Sequence, residues 1–86
     1  MTRIEAQQLQ ADAHATGDLL IWTICKAPVD YPGLFTARPH SAKAGVPIDF
    51  VLHGPTIDAV RAMLPEHLTR LPRHPDDEPV IQECWI

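Results

Sequence analysis

Eighty-six residues with 45% hydrophobic and 21% charged side chains make one small globular domain, not a disordered chain. Such a chain buries only about 60–65% of its unfolded surface, so its core is thin. A net charge of −4 argues against a strong non-specific nucleic-acid binder, and two cysteines are too few for a disulfide framework.

No apolar run approaches the roughly 18 residues that span a bilayer. The first eighteen residues lack the apolar segment of a signal peptide, so a cytoplasmic protein with reduced thiols is expected. Within those residues, Thr2-Arg3-Ile4-Glu5 matches a capping box, and AQQLQADAHA favours helix up to a stop at Gly17. Only Ala6, Leu9 and Ala13 make an apolar side, with Ile4 partly joining. Residues 1–17 are therefore an N-terminal helical segment that docks, frays or pairs with another subunit, and residues 18–86 form a single α+β domain.

Leu19–Cys25 reads as the first strand. Leu20, Trp22 and Ile24 point one way and Leu19, Ile21 and Cys25 the other, so a cover is expected on both faces. The helix would supply one cover, and the N-terminal segment or a second subunit the other. Tyr31-Pro32-Gly33-Leu34 fits a type II turn: proline fixes φ at the second position and glycine supplies positive φ at the third. A second strand, Leu34–His40, leads through the loop SAKAGVP to a third, Ile48–His53. A hairpin about that loop would bring Phe35 near His53, and Arg38 near Phe50 or Asp49.

Thr56 is a good N-cap for a helix whose buried stripe is Ile57, Val60, Met63 and Leu64, ended by Pro65. Asp58 and Arg61 are placed to pair on its wet side. Residues 65–79 carry four prolines and the acid run Asp76-Asp77-Glu78, and read as an extended connection anchored by Leu68 and Leu71. In the last strand, Val80–Ile86, alternation sets Ile81, Glu83 and Trp85 on one face and Val80, Gln82, Cys84 and Ile86 on the other.

The expected architecture is a small, mostly antiparallel four-stranded sheet with one packed helix and an N-terminal helix, in the order helix-β-β-β-helix-β. A right-handed crossover sets the last strand parallel to the third or the first strand, preferably beside the first, in the order 4-1-2-3. The residues Trp22-Thr23-Ile24, Asp30-Tyr31-Pro32 with Phe35, Ala37 and Arg38, Val60 to Pro65, and Trp85 give the chain a further likeness. Over about two-thirds of its length it resembles a group of small bacterial and phage-associated proteins of unknown function. That resemblance implies no activity and no cofactor.

This topology gathers Cys25, Lys26, Tyr31, His53, Thr56 and Cys84 at one edge of the sheet and sends His40 to the other. Three chemistries fit that edge. A helix N-terminus beside Lys26, His53 and Thr56 can hold an anion. Cys25, His53 and Cys84 are zinc-type ligands, but they lack the close spacing of a zinc motif, and buried thiols are the commoner outcome. Either cysteine with His53 could act as a nucleophile, yet neither opens a helix or sits on a strained elbow. Arg38, Arg61, Arg70 and Arg73, with Lys43, could form a basic face. Pairing with nearby acids is the more common arrangement, Arg38 with Asp49, Arg61 with Asp58, and Arg70 and Arg73 with the acids at 76–78.

The sequence thus favours a non-catalytic interaction or regulatory module that takes a protein partner or self-associates, with no metal and no cofactor. The alternative is a small-molecule or anion binder, with or without catalysis, using Lys26, Tyr31, His53 and Thr56.

Overall fold

The computed structural model describes residues 3–71 and 80–86. Thr2 of the capping box, Arg73 and the acids at 76–78 lie outside the described residues. The architecture is α+β: a mostly antiparallel sheet carrying two helices, in close to the expected order. The elements are α1 (Arg3–Ala15), β1 (Leu20–Lys26), β2 (Phe35–Ser41), β3 (Val46–Pro47), β4 (Leu52–Gly54), α2 (Ile57–Arg61), β5 (Arg70–Leu71) and β6 (Ile81–Trp85). No described helix is long and apolar enough to cross a membrane.

The strands run in the order β3-β2-β1-β6-β5, with β4 also paired to β2. The last strand does lie beside the first, but antiparallel to it, with Trp22 opposite Trp85 and Thr23 opposite Cys84. The expected parallel crossover is therefore corrected. The reason lies in the connection: β5 pairs antiparallel with β6, so the chain reaches β6 through a neighbouring strand and not directly from α2. Arg70 and Leu71, expected in an irregular connection, are that extra edge strand.

The expected third strand, Ile48–His53, shortens to β4, and a further strand, β3, forms within the expected SAKAGVP loop. β3 pairs with the end of β2 at His40 and Ser41, and β4 with its beginning at Phe35 to Ala37. Between them Ile48 donates its amide to Pro39, Phe50 donates to Ile48, and the Phe50 ring meets Trp22 edge-on at 5.9 Å. This segment seats the buried Phe50 ring against Trp22 in the thin core. The register sets Gly54, one residue beyond His53, opposite Phe35.

Local chemistry accounts for the chain reversals. Asp18 donates its amide to the Ala13 carbonyl and Gly17 to that of His14, with Gly17 at φ +76°, the paired bonds of a Schellman stop. Gly33 has φ +77°, and Leu34 donates to Tyr31 as the type II turn requires. Gly54 has a different reason: α2 returns over it so closely that a Cβ would meet the Ala59 Cβ at 3.1 Å.

The core lies between the helices and one face of the sheet. Leu20, Trp22 and Ile24 of β1, Ala37, Leu52, Val60 and Ala6 are fully buried there. α1 docks on this side: the buried Trp22 indole N–H donates to Gln10 at 2.9 Å, and Leu9 packs against the core from the same helix. Asp18 adds a clasp. Its carboxylate accepts from the Ser41 hydroxyl at 2.5 Å and from the amides of Leu19 and Lys43, which ties the α1–β1 link to the β2–β3 hairpin. The Ser41 bond, followed by the Lys43 amide, holds its pKa below the ordinary carboxylate value.

Candidate functional site

α1 and α2 share one face, so of the two covers expected for the opposite face, the N-terminal segment or a second subunit, the first is corrected. Register assigns that opposite, open face. Ile21 stands opposite His40, Thr23 opposite Arg38, and Cys25 opposite Thr36; on the other side of β1, Thr23 faces Cys84 and Cys25 faces Ile81. Ile21, Thr23, Cys25, Ile81 and Cys84 are each half-buried.

A register shift between Ile24 and Cys25 skips Gln82 and reverses the alternation in β6. Ile81 thereby joins Cys84 on the open face, while Glu83 and Trp85 go to the helix side. The expected grouping of Ile81 with Glu83 and Trp85 is corrected accordingly.

One end of the open face is crossed by the loop of residues 27–34. Tyr31 stacks on His53 with ring centroids 5.4 Å apart, Arg38 lies 5.8 Å from the Tyr31 ring centre, and Arg38 pairs with Asp30. The expected Arg38–Asp49 pair is replaced by that Arg38–Asp30 pair. Beneath this cluster Thr36 is buried, and its hydroxyl has no hydrogen-bond partner among the described residues. Val29, in the same loop, is wholly exposed.

The expected edge site is thus only partly assembled. Tyr31 and His53 meet on the open face. Lys26, opposite Phe35 at the end of β1, takes the helix side by alternation. Thr56 is occupied as the N-cap, accepting from the Ala59 amide at 3.1 Å, and α2 has only five residues to build a dipole. Cys84 leaves the edge altogether, because antiparallel pairing sets it beside Thr23, with Sγ 3.8 Å from the threonine hydroxyl. Among the described residues no three metal-ligating side chains come together.

On the helix side the expected Asp58–Arg61 pair is present, within a larger arrangement around Glu83 that was not drawn from the sequence. Arg61 grips the buried Glu83 with two bonds, Nε to Oε1 at 2.6 Å and Nη2 to Oε2 at 2.7 Å, and its Nη1 donates to Asp58 at 3.1 Å. The Trp85 indole N–H donates to the same Glu83 oxygen at 3.0 Å. Arg70 stands 3.7 Å from Glu83; its expected partners, the 76–78 acids, lie outside the described residues. The Arg61 bonds hold the Glu83 carboxyl below its usual range against the opposing pull of burial, and the pairing raises Arg61 in turn. The signal was present: an acid on the apolar face of a strand needs a cation from whatever packs over it.

Two cavities flank the Glu66–Leu68 segment. One, of about 460 Å³, opens between the start of α1, the end of α2 and Trp85; the other, of about 410 Å³, opens between α1 and Ile86. No family model, no curated protein and no solved structure matches the chain. The resemblance to small bacterial and phage-associated proteins therefore rests only on the residues quoted for it.

Proposed function

We propose that the chain is a soluble, cytoplasmic, non-catalytic interaction module that works through the open face of its sheet, and that the partner is a second copy of itself. The observation that carries this reading is the placement of both helices on one face. Among the described residues, only the 27–34 loop crosses the other. Ile21 and Ile81 stand toward opposite ends of that face around the small side chains of Thr23, Cys25 and Cys84. Such a surface suits sheet-on-sheet packing, where two faces interdigitate about 10 Å apart.

Charge favours a like partner. Arg38 carries the open face's cation and is already paired with Asp30, so two copies meet without like-charge repulsion. Five strands at about 4.8 Å spacing make a patch roughly 20 Å wide and roughly 20 Å long. Two such patches come to roughly 800 Å² in total, below the roughly 1,200 Å² at which stable specific interfaces begin, and so correspond to a weak dimer that dissociates on dilution. Sedimentation velocity across a wide concentration range tests this. A reversible monomer–dimer equilibrium, abolished by Thr23→Arg with the fold intact, is expected. A chain that stays monomeric throughout refutes it.

The Tyr31–His53 stack with Arg38 beside it supports the second reading, a small anionic ligand at that end of the sheet. Phosphate or nucleotide titration followed by amide NMR separates the two readings. Binding there shifts the amides of the 27–34 loop and of Thr56 to Asp58, and unmoved amides remove this reading.

A further inference from the structure

We propose that the 460 Å³ cavity on the helix side binds a free α-amino acid with an aromatic side chain. Its volume falls within the range of small-ligand sites, roughly 300–1,000 Å³. Leu64, Pro65, Leu68 and Trp85 give it an apolar lining, and Arg3, Glu66 and His67 contribute polar groups.

The aromatic wall is fixed in advance. Trp85 donates to Glu83, and Glu83 is clamped by Arg61, so the indole is oriented through two successive sets of bonds before any ligand arrives. A platform held in this way loses little freedom when a second ring stacks on it. The strongest bonds of Arg61 are committed to Glu83 and Asp58, so the cavity presents no net cation there.

The Arg3–Glu66 ion pair selects a zwitterion, with His67 Nε2 3.9 Å from the second Glu66 oxygen. Arg3 Nη2 lies 2.9 Å from Glu66 Oε1, and both side chains are about half exposed (49% and 52%). An exposed pair of this kind contributes little to stability and is readily exchanged. An amino acid replaces it with two pairs, carboxylate to Arg3 and ammonium to Glu66, and leaves the net charge unchanged. A simple carboxylate would set its charge beside Glu66 without compensation, and a simple amine would do the same beside Arg3. At the mouth, His67 holds a left-handed backbone, φ +65°, which is unusual for a residue other than glycine and often accompanies binding sites.

The test is titration of the ¹⁵N-labelled chain with L-phenylalanine, phenylacetate and phenethylamine in parallel. The readout is the indole N–H signal of Trp85, assigned by its loss in Trp85→Phe. L-Phenylalanine is expected to give a saturable shift at concentrations about tenfold below either single-charge analogue. Arg3→Gln and Glu66→Gln are each expected to weaken it about tenfold while the rest of the spectrum stays in place. A Trp85 signal that does not move with any of the three overturns the proposal. So does phenylacetate or phenethylamine binding as well as phenylalanine, or rim variants that bind like the wild type.

Discussion

Arg61→Met is the substitution that most directly probes how the helix layer is fastened to the sheet. Methionine keeps much of the arginine's length and apolar stem, so the change removes mainly the charge and the guanidinium donors that make the three bonds to Glu83 and Asp58. It leaves the Glu83 carboxylate, 6% exposed as a residue, with the Trp85 indole N–H and a distant Arg70. Removing one partner of a buried pair costs about 3–5 kcal/mol. The Arg61 side chain is itself a third exposed (34%), so its attraction to Glu83 is partly screened and the lower end, about 3 kcal/mol, is expected. In a domain of this size each kcal/mol moves the melting midpoint by about 4–8 °C, so a fall on the order of 12–24 °C should appear in thermal denaturation followed by circular dichroism.

The pH dependence provides the sharper check. Glu83 has a folded-state pKa below its unfolded value, chiefly through the Arg61 bonds, so its contribution is present at neutral pH and is lost as pH falls through the carboxylate range. Without Arg61 that contribution is gone, and the gap between variant and wild type should narrow under acid. A double variant, Arg61→Met with Glu83→Leu, should recover much of the loss, because no stranded charge remains. A gap that does not change with pH, or a double variant no better than the single one, refutes the buried-pair account.

Three further substitutions have defined outcomes. Gly54→Ala introduces a Cβ at 3.1 Å from that of Ala59, so urea denaturation should show a loss of about 1–2 kcal/mol without any change of backbone class. Asp18→Asn weakens the clasp onto Ser41 and Lys43; because the aspartate pKa is lowered in the folded state, wild type and variant should differ at neutral pH and converge as pH falls through the carboxylate range. Thr36→Val replaces a buried hydroxyl that has no partner among the described residues with a side chain of the same shape, and should be neutral or stabilising by up to about 1 kcal/mol in the same denaturation assay.

What was legible in the sequence was chemistry that closes within a few residues. The Tyr31–Leu34 turn, the stop at Gly17 and the Thr56 cap each depend on one special residue and its neighbours, and each has the expected bonds. The inward face of β1 was legible for the same reason, since alternation needs no knowledge of the partner strand. The direction of β6 was not, because it depends on the path between α2 and that strand, and a two-residue edge strand leaves almost no periodicity. The skip at Gln82 left no mark either, yet it alone sends Ile81 to the open face and so changes what that face can bind. The edge cluster came apart for three reasons, of which the direction of β6 is one: Lys26 turns to the helix side by alternation and Thr56 is used as the cap of α2. With β6 reversed, Cys84 moves up beside Thr23, and only Tyr31 and His53 of the expected residues meet.

The same two-faced arrangement makes the proposed activities separable. Thr23, at the centre of the open face, and Trp85, in the wall of the cavity, lie on opposite sides of the sheet, since Thr23 pairs with Cys84 and Trp22 with Trp85. A second copy packed over Thr23 leaves the Arg3–Glu66 rim open to solvent, and an amino acid stacked on Trp85 leaves the dimer face untouched. Thr23→Arg should therefore abolish association while preserving the phenylalanine-induced shift of the Trp85 indole, and Arg3→Gln should do the reverse. Loss of both properties in either variant would mean that the two faces are coupled through the thin sheet. The route for such coupling is short: Cys84, on the open face, is flanked in sequence by Glu83 and Trp85, the two residues that shape the cavity wall.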